Sequence, residues 1–151
     1  MKAISLWQPW ASLIAAGGKQ IETRSWAPPK AFIGQPLAIC STKYTLKEVL
    51  ADAWRTPEIR EFMRSNGMIM DRLPKGAVVA VCVLGGSVKI TEGLAASLSP
   101  LERAVGYYAP GRFAWILENV IALREPVPVI GRQGFFDVDI DPDLYETLDH
   151  I

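Results

Sequence analysis

Apolar positions along this chain alternate between strand-like runs and helix-like spacings, and the switches are marked by glycine and proline. Ala3 to Leu6 reads as a short first strand. Pro9 opens a helix at its first turn, where a missing N–H is no loss. Trp10, Leu13 and Ile14 follow at helical spacing, and Gly17 fits the stop. Gln20 to Arg24 reads as a strand before the breaker Pro28-Pro29. Leu37 to Cys40, behind Gly34 and Pro36, is a short apolar run of the kind that forms a buried strand. Thr45 and Glu48 have the spacing of a capping box, with Leu46, Val49, Leu50, Ala53 and Trp54 as the apolar face behind them. Thr56-Pro57 is a second start signal. Ile59, Phe62 and Met63 then continue to Asn66-Gly67, so the spacing predicts a helical segment broken near Thr56.

Leu73-Pro74-Lys75-Gly76 is a turn, and the valine-rich run Ala77 to Leu84 predicts a central strand. Gly85-Gly86 predicts a bulge or bend before Val88–Ile90. Ser99-Pro100 opens a brief helix ending at Gly106. Arg112 to Leu123 is the longest strand-like run, with Phe113, Trp115 and Leu117 on one face and Arg112, Ala114, Ile116 and Glu118 on the other. Pro126 and Pro128 predict an irregular extended link, Gly134 to Val138 a last strand, and Asp141-Pro142 the cap of a terminal helix carrying Leu144 and Leu148. Short strands with helices inserted one at a time predict an α+β fold. It is expected to be a mixed, mainly antiparallel barrel of about five or six strands with helices at its ends, rather than a doubly wound sheet. No repeat or linker divides residues 1–151, which are read as one domain.

Composition narrows the class. Half of the residues are hydrophobic and 21% are charged, a globular balance. No apolar run approaches the ~20 residues a membrane span needs, and MKAISLWQPW lacks the long apolar core of a signal peptide. Cys40 and Cys82 both sit in apolar strand runs, which predicts buried reduced thiols and a cytoplasmic setting. With one histidine, His150 near the end, and no ligand-spaced cysteine pair, no metal site or cofactor is expected. The net charge is zero but uneven. Up to position 47 the bases Lys2, Lys19, Arg24, Lys30, Lys43 and Lys47 face only Glu22, whereas the tail from about residue 140 is acidic. A neutral chain of this kind can still carry a local positive cleft.

The densest candidate chemistry is Gly17-Gly18-Lys19-Gln20-Ile21-Glu22-Thr23-Arg24. On a strand Glu22 and Arg24 share a face, and Lys19 at the mouth of the turn can join them. A carboxylate between two cations, framed by tryptophans, suits an anionic or planar ligand. The same residues also suit a structural ion pair.

Gly17, Lys19, Glu22 and Arg24 match a GxKxxExR motif in full, and the chain thereby resembles an ASCH domain of the PUA-like superfamily. Ser5-Leu6-Trp7-Gln8-Pro9-Trp10 resembles the segment before that motif, Ser25-Trp26 the one after it, and Ala38 to Lys43 the next family strand with its polar exit. Gly111 to Val120 resembles a late family strand. The resemblance reaches to about Asp139. It implies a PUA-like barrel with a cleft over the motif and single-stranded RNA or nucleotide-like ligands, since some relatives bind RNA and some are described as ribonucleases. Lys19, Glu22 and Arg24 are then the candidate catalytic residues. Trp7, Gln8, Trp10, Trp26, Ser41, Lys43, Tyr108 and Arg112 are the candidate ligand contacts. Small bacterial relatives hydrolyse an acylated cytidine with a threonine at the position of Glu22. This chain departs from them there, and a carboxylate beside Lys19 favours the charged lysine over a nucleophilic one. A metal-independent ribonuclease, an amidohydrolase and a non-catalytic RNA- or protein-binding module all stay open at this point. No membrane partner is expected, and the oligomeric state is left open.

Overall fold

The two longest apolar runs pair with each other and form the spine of one sheet. In the computed structural model, described here for residues 1–145, β1 is Lys2–Leu6, α1 Trp10–Ala15, β2 Ile21–Arg24 and β3 Pro36–Ser41. The helices α2 (Lys47–Arg55) and α3 (Pro57–Ser65) precede β4, Ala77–Lys89. Then come α4 (Glu92–Ser97), α5 (Pro100–Ala104), β5 (Phe113–Pro128) and β6 (Phe136–Asp137). The six strands lie in the order β2-β5-β4-β3-β1-β6. All pairings are antiparallel except β1 with β3, which run parallel from Lys2↔Leu37 to Leu6↔Ser41 across the connection that holds α1 and β2.

In place of the expected barrel of about five or six strands stands a six-stranded mixed sheet that its ladders do not close. β2, of four residues, pairs along one side with β5, and β6, of two residues, pairs with β1. Edge strands this short supply too few backbone groups for a further ladder. The α+β class and the mixed, mainly antiparallel pairing agree with the sequence pattern.

Alternation along the strands sorts their side chains into two cores. Ile4, Leu6, Leu37, Ile39, Ala80 and Trp115 pack beneath Ala11 and Ile14 of α1. The intervening positions Ala3, Ala38, Cys40, Val78 and Val81 pack with Phe136 and Ile140. Leu13, Ala53, Ile59, Met63 and Val105 join α1, α2 and α3 in a third cluster. Each fully buried aliphatic side chain contributes about 1.5–3 kcal/mol. The two faces read along β5 do differ: Trp115 and Leu117 enter the first core, whereas Ala114 packs with Ile21 and Ile90.

Several boundaries differ from those the pattern predicts. Thr45 makes no capping box: α2 starts at Lys47, and the buried Thr45 hydroxyl instead accepts the Gln8 N–H at 3.0 Å. The glycine pair kinks β4 without ending it, and the register to β5 shifts between Leu84 and Gly86. β5 continues through Pro126 to Pro128, which lies opposite Ala77 at the ladder's end. α4 spans only six residues, with Leu94 its one large apolar side chain, and the Thr91 hydroxyl caps it by accepting from Leu94 N–H at 3.1 Å. The last strand shrinks to Phe136–Asp137, and Asp141 caps only a 3-10 turn over Pro142–Leu144. Leu148 and His150 lie outside the described residues.

Candidate functional site

The turn after α1 decides where the charged motif goes. Gly17 takes φ +86°, a conformation open to glycine, and the N–H groups of Gly18 and Lys19 both close on Leu13 O at 2.9 and 3.2 Å. The Phe62 ring lies against Gly18 so closely that a Cβ there would fall 2.6 Å from it. That tight turn carries Lys19 inward, and the residue is only 2% exposed. Its ammonium donates to Ile21 O and Val105 O, both at 2.7 Å, and stands 3.6 Å from Glu22 Oε1.

Glu22 is buried and fully engaged. Oε1 accepts the Thr23 N–H at 3.1 Å, and Oε2 accepts Arg24 Nε–H at 2.9 Å. Arg24 is the outermost of the three, with its side chain 23% exposed. Its Nη2 donates to Ser5 O at 3.4 Å, and the guanidinium lies 5.8 Å from the Trp115 ring centroid. Glu22 and Arg24 do share a face, and Lys19 reaches the same carboxylate from below. Burial pulls the Lys19 ammonium below the ordinary lysine value; Glu22 and Glu102 pull it back up, and Arg24 adds to the depression. A buried cation is tolerated here because carbonyls and a carboxylate replace its water.

Above Arg24 opens a cleft of about 1050 Å³. Its cations are Arg24, Lys43, Lys75 and Arg132, from β2, the exit of β3, the turn before β4 and the segment after β5. Among the described residues that line it, none is acidic. Trp7 and Trp26 form its aromatic part, 44% and 39% exposed. Trp26 is held rigidly, edge-on to Trp115 at 4.9 Å and to Phe135 at 5.8 Å, and its carbonyl accepts Trp115 Nε1–H at 3.1 Å. Residues 129–134 form one wall, seated so close to β1 that a Cβ on Gly131 would lie 2.8 Å from Ser5 Oγ.

The structure therefore brings Trp7, Arg24, Trp26 and Lys43 to one cleft, with Glu22 and Lys19 beneath it. It does not bring Gln8, Trp10, Ser41, Tyr108 or Arg112 there, and each has a protein partner instead. The Gln8 amide donates to Ser12 Oγ and Pro74 O and accepts from Ser12 N–H. Trp10 packs between the sheet core and the helices. The Ser41 hydroxyl spans to the Ala77 carbonyl and N–H, both at 3.3 Å. Tyr108 lies half-buried against the cluster of Ile21, Ile90 and Ala114, and burial together with the neighbouring Glu102 carboxyl pushes its phenol well up. Arg112 donates to Tyr107 O and Thr23 O and covers the Tyr107 ring at 4.8 Å. Lys75 and Arg132 are cleft cations that no sequence motif marks. Each is a lone cation beside turn glycines, and only folding brings it to the others. Among the described residues, no His, Cys, Asp and Glu cluster is placed to hold a metal, and no helix is long and apolar enough to cross a membrane.

Comparison with known proteins gives three results. The pattern of the ASCH domain matches residues 4–127, a span that holds the GxKxxExR motif, both cleft tryptophans, Lys43 and Lys75 but ends before Arg132. The crystal structure of ASCH from Zymomonas mobilis superposes with a TM-score of 0.56 at 17% identity, covering 91% of this chain and 87% of that one. A mutant form of the same Zymomonas mobilis protein gives 0.54 at 18% identity, with 91% and 87% covered. At these identities the likeness speaks to the fold alone. A search of curated proteins gives no match.

Proposed function

The chain belongs to the ASCH domain family, of PUA-like fold, and on that premise we propose that the cleft over Arg24 binds single-stranded RNA or a nucleotide-like ligand. One observation carries the reading: four cations converge on the cleft, no described lining residue opposes them with a carboxylate, and two half-exposed tryptophans stand among them. Cations set around aromatic faces match a strand of phosphates and bases. Arg24 offers the planar fork that suits phosphate, and Glu22 on its Nε fixes the direction of that fork. Lys19 and Glu22 then serve as positioning residues. Cys40 and Cys82, both buried free thiols, support a reducing, cytoplasmic setting.

The hydrolytic readings ask more of the same residues. A base or nucleophile must come within hydrogen-bond reach of the reacting atoms. Glu22 spends both oxygens on Thr23 and Arg24, and the Lys19 ammonium is held by two carbonyls below the cleft floor. The geometry thus favours a binding module over a ribonuclease based on Glu22 or an acylated-cytidine amidohydrolase based on Lys19. Fluorescence anisotropy with a labelled oligouridylate tests this. Affinity is expected to fall with salt by about 0.7 log units per phosphate contact per log unit of salt, and to drop in Arg24→Ala/Lys43→Ala. Salt-independent binding, or unchanged affinity in the double variant, would overturn it. RNA cleavage lost in Glu22→Gln with binding retained would restore the ribonuclease.

A further inference from the structure

Beside the cleft, between the start of α2 and the turn before β4, runs a second groove of about 700 Å³. Tyr44, Leu50, Trp54, Ile69 and Met70 line it. Tyr44 is 67% exposed, and among the described residues it belongs to none of the hydrophobic clusters. The groove and the cleft share a residue, Lys75, which lines both. Their linings also meet in sequence, since Lys43 belongs to the cleft and Tyr44 to the groove. Lys47 adds a cation on the groove's side, and among the described lining residues one carboxylate, Asp71, stands against it.

We propose that this groove is a second subsite for the same nucleic-acid strand, so that the ligand is an oligonucleotide and not a mononucleotide. The inference rests on the nucleic-acid reading of the cleft. A base of the adjoining nucleotide stacks on Tyr44 over the apolar floor, and the phosphate joining the two nucleotides passes Lys75. Charge favours this occupant over an apolar protein segment. The groove shares Lys75 with the cation-lined cleft, and Lys47 lines the groove itself. Base–aromatic stacking is tolerant of sequence, which fits a floor without a dense set of hydrogen-bonding groups.

The test compares uridine 5′-monophosphate with hexauridylate on the wild-type protein, on Tyr44→Ala and on Ala51→Trp, which fills the groove from α2. The hexamer is expected to bind the wild type at least ten-fold more tightly than the monomer. Either substitution removes about ten-fold of that gain, the size of one lost stack, and moves monomer affinity less than about two-fold. Amide and indole resonances of Tyr44 and Trp54 shift with the hexamer and stay put with the monomer. Equal affinities for the two probes, or a gain that survives both variants, would overturn the second subsite while leaving the cleft reading intact. So would hexamer binding that leaves the groove resonances unmoved, which would hand the groove to an apolar protein segment. Failure of the wild type to bind either probe would overturn the cleft reading, and the subsite with it.

Discussion

Arg24 on β2 donates to the main-chain oxygen of Ser5 on β1, 3.4 Å away, and so a side chain spans the gap that the sheet's own ladders leave open. The two strands stand at positions one and five of the sheet order. Their approach means that the sheet curls, and the cleft sits at the mouth of that curl. The contact also explains why the motif is charged on a buried surface. Arg24 must keep its guanidinium at the rim, Glu22 holds it there, and Lys19 offsets the buried carboxylate from beneath.

Breaking that stack costs stability before it touches binding. Glu22→Gln leaves the Lys19 ammonium buried with less compensation, and removing one partner of a buried ion pair costs about 3–5 kcal/mol. Urea denaturation of Glu22→Gln should show a loss of that order. Adding Lys19→Met should recover part of it, because the two residues are coupled. An unchanged urea midpoint in Glu22→Gln would mean that the stack is not structural.

Lys75 and Arg132 should behave as phosphate contacts although neither stands in the motif. Each alanine substitution is expected to reduce the slope of log affinity against log salt by about 0.7. Lys2→Ala serves as the control: Lys2 pairs with Asp137 of β6, lines neither the cleft nor the groove, and should leave the slope alone. Equal effects from all three would make the attraction a diffuse one.

Gly18→Ala places a methyl against the Phe62 ring, and overpacking of this kind costs about 1–3 kcal/mol. The cost should appear in thermal and urea unfolding. Phe62→Leu in the same chain should restore part of it, since the obstruction is that ring. A fully stable Gly18→Ala would show that Phe62 swings aside freely.

The thiols give a pH dependence with a definite sign. Burial pushes both Cys40 and Cys82 up to about 12, from an ordinary 9.0. Between those values the unfolded chain releases thiol protons that the folded chain keeps, so stability falls as pH rises. The limiting slope is about 1.4 kcal/mol per pH unit for each thiol. Lys19 acts the other way, because its depressed ammonium deprotonates first in the folded state. Comparing the wild type with Cys40→Ala/Cys82→Ala isolates the thiols: the variant's stability should decline less steeply above pH 9. Parallel curves would show that the thiols ionise alike in both states.

Local pattern carried most of the elements. The alternation of Ile4 with Ala3 and of Ile39 with Ala38 fixed which side chains face which core, and the glycines at 17 and 67 marked where helices stop, because these choices involve only neighbours in the chain. The motif's shared face was legible for the same reason: Glu22 and Arg24 are two apart on a strand. What lay beyond the sequence were the contacts between distant segments. Thr45 looked like a helix cap until Gln8 claimed its hydroxyl. Ser41 and Arg112 looked like ligand contacts until Ala77, Thr23 and Tyr107 satisfied them. Lys75 and Arg132 stand far from the motif in the sequence, and only the fold sets them beside Arg24. Sequence determined the strands, the turn at Gly17 and the charged face of the motif, through periodicities of two and 3.6 residues. Tertiary structure alone decided that Lys19 is buried, that Arg24 reaches the rim and that four separated cations line one cleft, because burial and charge convergence depend on segments brought together only by folding.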